Sequence, residues 1–160
     1  MGHGIWNNSG HASMMYVGKE PWHGLGTKLS KPATSAEAIK AAHLDWDVTL
    51  KPVAAVDGYR EYPIKNRFAI VPCDGWGTTD CPVFGLVGRG YTPLQNREAF
   101  AFFDPIAGKD AAIYHTAGAL GRGERIWILA KLPGHICVAG DDITEKFLLL
   151  SNSHEGKQPR

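Results

Sequence analysis

The stretch Phe84-Gly85-Leu86-Val87-Gly88-Arg89-Gly90-Tyr91-Thr92-Pro93-Leu94-Gln95-Asn96, continuing to Asp104, constrains the fold of this chain most. It predicts a buried strand, a glycine turn and a capped helix. The strand is Val83 to Val87, apolar apart from one glycine. Gly88-Arg89-Gly90 then bends the chain where a side chain would clash or φ must be positive. Thr92 is placed as an N-cap, with Pro93 at the first helical position, where a missing N–H costs nothing. Gln95, three residues after Thr92, completes a capping box. Ala99, Phe102, Phe103 and Ile106 follow at helical spacing, so a helix from Pro93 to Phe103 is expected to pack by one face. Asp104-Pro105 is expected to end it.

Around this centre the chain reads as strands. Residues 1 to 33 carry Gly, His, Asn and Ser with little periodicity, and predict an extended arm that lays Met14-Met15-Tyr16-Val17 and Trp22 onto the body. Thr34-Ser35-Ala36-Glu37 is a capping box for a short helix to His43. Asp45 to Lys51 alternates, with Trp46, Val48 and Leu50 on one face, and Pro52 closes that strand. Asp57-Gly58 is a two-residue hairpin signal between Val53–Val56 and Tyr59–Lys65, with Pro63 marking an edge or a bulge. Phe68 to Val71 is the next strand, and Asp74 to Asp80 a loop. About four strands therefore precede the central helix. Strands are also expected at 111 to 120, 125 to 132, 135 to 138 and 146 to 152, with turns at 121 to 124, at Pro133-Gly134 and at Gly140-Asp141-Asp142. The fold class is α+β: a single domain with a mostly antiparallel twisted sheet, one main helix on a face and a short N-terminal helix. The arm spans 1–33 and the α+β domain 34–152; 153–160 is a loose tail or a truncation point.

At 160 residues, with 44% hydrophobic and 21% charged, the composition is that of a globular chain rather than a disordered one. The formal net charge of +1 excludes strong nonspecific attraction to nucleic acid by net charge alone, and leaves room for a local basic patch. Three cysteines are too few and too scattered for a disulfide framework. No apolar run approaches the ~20 residues of a membrane helix, and the first residues lack a basic segment followed by an apolar one. The expectation is a cytoplasmic chain with no membrane partner.

Several residue groups carry candidate chemistry. Cys73 and Cys81 bracket a loop, and His135 and Cys137 at i, i+2 share a strand face, but the spacing is not that of zinc knuckles. No metal and no cofactor are expected. Asp142, Ser151 and His154 supply the residue types of a hydrolase without a Gly-x-Ser-x-Gly elbow. Trp22-His23 is a ligand-facing pair or an anchored aromatic in a glycine loop. Gly88-Arg89-Gly90 before a helix N-terminus offers N–H groups to a phosphate. Arg89 and Arg97 lie near that turn, and Arg122 and Arg125 at a hairpin tip, with Tyr91 and Trp127 as nearby aromatics. Basic loops with aromatic platforms are what single-strand binders use. Four solvated arginines and two core aromatics is the competing interpretation.

Three fragments, Trp22-His23-Gly24-Leu25-Gly26-Thr27, Gly88 to Asn96 and Leu148-Leu149-Leu150-Ser151-Asn152-Ser153-His154, together resemble the phage/plasmid-like protein family of unknown function, from Met15 to His154. Members are usually longer, so the resemblance implies that this is an N-terminal part. It also implies the host cell of a phage or plasmid as the setting. The layout of helix, meander and helix is similar to that of phage single-strand-annealing proteins, which bind DNA backbone in a basic groove and form rings. The leading expectation is a non-enzymatic protein that binds or anneals single-stranded nucleic acid as a homo-oligomer. Arg89, Arg97, Arg122 and Arg125 would contact phosphates and Tyr91 would stack. The alternatives are a hydrolase or metal-dependent enzyme using His23, Asp142, Ser151 or His154, and a structural or host-interaction module without ligand.

Overall fold

The computed structural model describes residues 4–8, 10–73, 81–107, 113–137 and 143–156. The chain forms β1 (Asn7–Asn8), β2 (His11–Ala12), β3 (Met14–Val17), β4 (Thr27–Leu29), α1 (Ser35–Ala41), β5 (Val48–Asp57), β6 (Arg60–Pro72), β7 (Gly85–Gly88), α2 (Asn96–Ala101), α3 (Asp104–Ala107), β8 (Tyr114–Leu120), β9 (Arg125–Cys137) and β10 (Ile143–Ser153). The result is α+β and rich in antiparallel pairing. It is not one sheet, however. β10-β9-β8-β3-β4 make one sheet, β5-β6-β7 a second, and β1-β2 a small ribbon. β3 and β4 pair in parallel; the remaining pairs are antiparallel.

The residues expected to form an arm include β3, which lies inside the larger sheet between β8 and β4. Its unbroken apolar run fits that place, because both faces of an interior strand are covered. Met15 enters the main core, while Met14 and Tyr16 join Ile5 on the opposite face, against Trp127. Trp127 lies opposite Gly118. A Cβ at Gly118 would collide with the indole ring, so glycine there lets the tryptophan lie across the neighbouring strand. On the core face, Ile126, Ile128 and Ala130 of β9 meet Tyr114, Ala117 and Ala119 of β8.

The same core takes in both helices and the second sheet: Ala38, Ile39, Leu44, Trp46, Ile70, Phe84, Phe100 and Phe103 are all buried in it. The Thr34 capping box forms as expected. Thr34 Oγ1 accepts from the Glu37 amide at 3.3 Å and the Thr34 amide donates to Glu37 Oε2 at 2.9 Å. The bond from the Thr34 amide, and then one from the Thr34 hydroxyl to the same Oε2 at 2.9 Å, hold the Glu37 carboxyl below the usual carboxylate range.

The central helix differs from expectation. It begins at Asn96, not Pro93, and Gln95 is its N-cap residue. The Gln95 amide donates to Glu98 Oε2 at 2.9 Å. The Gln95 side chain pairs with the backbone of Val48 instead, accepting from its N–H at 2.9 Å and donating to its C=O at 3.0 Å. A tertiary contact to β5 thus fixes where the helix starts, which spacing within 92–95 cannot reveal. Asp104-Pro105 opens α3 rather than ending a helix. Two short helices, α2 and α3, stand where one main helix from Pro93 to Phe103 was expected. Phe102 is exposed and Phe103 fully buried, so the packing face is narrower than the spacing implied.

Proline did not close strands here. Pro52 lies within β5 and Pro133 within β9; Pro63, expected at an edge or a bulge, pairs with Ala54 beside the register shift. β5 is an edge strand, and the outer half of β6 and of β9 is paired on one side only. A missing N–H is tolerated at such edges. The expected four strands before the helix are accordingly three. Register shifts in both long ribbons absorb the extra residues, one between Pro52 and Ala54, another between Glu145 and Phe147. The 74–80 loop and the turn at 140–142 lie outside the described residues.

Candidate nucleic-acid interface

The four expected arginines do not share one task. Arg97 Nη2 is 2.8 Å from Asp45 Oδ1 and Arg125 Nη2 is 2.8 Å from Glu155 Oε1. Each already has a carboxylate that a phosphate would have to displace. Arg122 donates from Nη2 to the Val83 carbonyl at 3.2 Å. Arg89 is exposed and forms no ion pair among the described residues. Tyr91 is half-buried against the main core, which leaves little of its ring for a base.

Arg89 has different neighbours from those expected. The turn it belongs to does not run into a helix N-terminus, since α2 starts only at Asn96. Neither Gly88 nor Gly90 has a positive φ, and a Cβ at either would meet nothing within 4 Å. The backbone conformation and the packing therefore do not require glycine there, contrary to expectation. Gly90 is exposed, whereas Gly88 is half-buried and its carbonyl accepts from the Tyr91 amide at 3.2 Å. Gly88 is paired with Arg67 on β6, so Arg89 follows directly on Arg67's cross-strand partner. Two residues along β6, Ala69 is paired with Lys51 on one side and Leu86 on the other. Cross-strand partners and i, i+2 neighbours share a sheet face. The opposite face carries Phe68, Ile70 and Val87 into the core. The outward face therefore carries Lys51, Leu86 and Arg67; Arg89 is exposed in the turn one residue past the end of β7. Leu86, expected to be buried, is 62% exposed. No ion pair involves Lys51, Arg67 or Arg89 among the described residues. Sequence reading missed Lys51 and Arg67 because only the register of three strands brings them beside Arg89.

His154, assigned to a loose tail or a ligand site, is an interior residue with 1% exposure. Its ring lies between Trp46, at 5.6 Å between centroids, and Phe84, at 6.1 Å. Asn96 Nδ2 donates to the carbonyls of Leu44 and Trp46, both at 3.1 Å, which turns Asn96 Oδ1 toward His154 as an acceptor. His154 Nε2 is 2.9 Å from that oxygen and so carries the ring proton. Nδ1 is buried without a hydrogen-bond partner among the described residues. Burial pushes the imidazole down to about 4. A neutral, enclosed imidazole held by an amide is a structural clasp, not a general base facing a substrate. It joins the second and third resemblance fragments, Asn96 ending one and His154 the other. The next residues complete the clasp: a Cβ at Gly85 would land on the Glu155 backbone, and one at Gly156, where φ is +72°, on Val87.

The other candidates are dispersed. Trp22 is 76% exposed, and His23 Nδ1 accepts from the Leu25 amide at 3.1 Å within the same loop. Ser151 is exposed on β10 opposite Trp127. Asp142 lies outside the described residues. Cys73 is half-buried, and Cys81 and His135 are exposed. A groove of about 450 Å³ between α1 and α2 is lined by Ser35, Ile39, Lys40, Asp45, Arg97 and Phe100. The Arg97–Asp45 pair closes much of its charge. Among the described residues no helix is long and apolar enough to cross a membrane.

No curated protein and no solved structure matches the chain. Residues 83–158 match the model of the family described as a domain of unknown function (DUF932), which fits the unknown-function family expected from the motifs and contains two of the three fragments that carried that resemblance.

Proposed function

We propose that the chain is a non-enzymatic binding protein for single-stranded nucleic acid, and that the strand lies across the outward face of β5-β6-β7. One observation supports this reading above the others: the register puts Lys51, Arg67 and exposed Leu86 on one face, with exposed Arg89 in the turn just past β7, and no carboxylate is ion-paired to any of these cations among the described residues. Cations held apart from carboxylates by a stiff sheet are suited to successive phosphates, and each contact releases counterions. The local patch does what a net charge of +1 does not. The annealing of complementary strands in mobile-element DNA metabolism is a role such a protein can fill. For the hydrolase alternative His154 is enclosed, which leaves it His23.

The test is fluorescence anisotropy with a labelled oligothymidylate of about 20 nucleotides, longer than one typical site. The Lys51→Ala, Arg67→Ala, Arg89→Ala triple variant is expected to bind at least tenfold more weakly at low salt. The Arg97→Ala, Arg125→Ala double variant is expected to bind nearly as the parent does. The reverse ranking would move the interface to the hairpin-tip and helix arginines.

A further inference from the structure

From Ala54 to Arg67 every residue of the β5–β6 ribbon is exposed. Two strands with water on both faces gain little from burial, and such a hairpin is marginal by itself. Yet this one carries large apolar groups into solvent: Tyr59 is fully exposed, Val56 69%, Tyr62 50% and Ile64 47%. Grouped exposed apolar surface of this kind marks an interaction site.

The chemistry of the ribbon points to its occupant. Tyr62 is paired with Ala55, and Arg60 with Asp57. Along β5, Lys51, Val53, Ala55 and Asp57 alternate onto one face. That face therefore continues the outward face of the sheet and adds Tyr62 and Arg60 to Lys51 and Arg67. Ala55, opposite Tyr62, is too small to cover the ring. Val56 with Glu61 and Ala54 with Pro63 fall on the other face, so of the ribbon's two carboxylates only Asp57 shares the face with the cations. It makes no ion pair with Arg60 among the described residues. Between Pro63 and Phe68, β6 passes four residues while β5 passes one, with Asn66 at φ +57°. A bulge of this sort bends a ribbon and increases its twist. Lys65 and Arg67 flank that point.

We propose that the β5–β6 ribbon is a stacking arm: bases of the single strand pack on Tyr62 and Tyr59 while Arg60, Lys51 and Arg67 follow its phosphates. This rests on the nucleic-acid reading above and names the element that takes the bases. Tyr62 shares its face with Arg60 and Lys51, and Tyr59 stands fully exposed at the hairpin tip beside Arg60; exposed rings next to cations are what a sequence-tolerant single-strand site needs, because every base offers a π-face.

The test uses the full chain and the same labelled oligothymidylate. Tyr59→Ala, Tyr62→Ala should lose at least tenfold in affinity with an unchanged salt slope, because stacking releases no counterions. Tyr59→Phe, Tyr62→Phe should retain most of the affinity, since the ring remains. Photocrosslinking of the unmodified chain to a bromouracil oligonucleotide should label the 59–62 peptide, a readout independent of variant folding. If the parent binds and the double alanine variant binds equally well, or the crosslink maps elsewhere, the arm is wrong and the nucleic-acid reading stands. Equal competition by a duplex, whose bases are stacked away, overturns stacking. If the parent does not bind at low salt, both readings fall.

Discussion

Lowering the pH should unlatch the C-terminal clasp through one residue. His154 is enclosed by Trp46 and Phe84, and its second ring nitrogen, Nδ1, has no hydrogen-bond partner among the described residues. A proton added there places a charge in an aromatic cage. Burial lowers the folded pKa from 6.5 to about 4, whereas the unfolded chain titrates at the ordinary value. The unfolded state therefore binds the proton more tightly. The stability from keeping His154 neutral is fully present above about pH 6.5 and is lost as pH falls toward about 4. A shift of this size, at 1.36 kcal/mol per unit, corresponds to about 3 kcal/mol in all. That is a large part of the 5–15 kcal/mol typical of a domain. The assay is urea denaturation at a series of pH values from about 7 to about 4.5, for the parent and His154→Gln. The variant should be less stable at neutral pH, because it loses ring packing, and the gap should close as the pH falls. Parallel pH profiles for the two proteins would refute the reasoning.

Other outcomes follow from the same contacts. Gly85→Ala should destabilise by about 1–3 kcal/mol, the range for overpacking, because its Cβ meets the Glu155 backbone; Gly88→Ala and Gly90→Ala should stay within about 0.5 kcal/mol of the parent, as exposed sites do. Thermal denaturation distinguishes the two classes, and equal losses would show the clasp misread. Gln95→Ala removes both bonds to Val48 and should cost about 1–3 kcal/mol in urea. A neutral effect would mean that α2 and β5 are held together by packing alone.

Local signals were legible and pairings were not. The Thr34 capping box and the hairpin at Asp57-Gly58 need only neighbours a few residues apart; the box formed as expected and the hairpin formed one residue on, with Gly58-Tyr59 as its loop and Asp57 paired to Arg60. Thr92 offered an equally good local cap, but Gln95 reaches Val48, 47 positions away, and that bond decided the helix start. Proline misled for a related reason. Its cost depends on whether the strand has a neighbour on the N–H side, which is a property of the sheet. The site suffered most. Arg89 was found from its glycines, whereas Lys51 and Arg67 lie in strands whose register no motif declares. Arg97 and Arg125 looked equivalent to Arg89 until Asp45 and Glu155 were placed beside them. His154 was read as a hydrolase or ligand-facing candidate, but a histidine that anchors a core and one that serves a ligand have the same letter in the sequence.

The central claim is that a patch of unpaired cations on the outward face of β5-β6-β7 binds the backbone of a single strand. Its most direct test is the salt dependence of the parent's affinity for the oligothymidylate between about 50 and 200 mM. Three phosphate contacts at roughly −0.7 each predict a log–log slope of about −2, steeper if Arg60 joins them. The Lys51→Ala, Arg67→Ala, Arg89→Ala variant should flatten it toward zero. No binding at the lowest salt, where attraction is strongest, or a slope the triple variant leaves unchanged, would contradict the account.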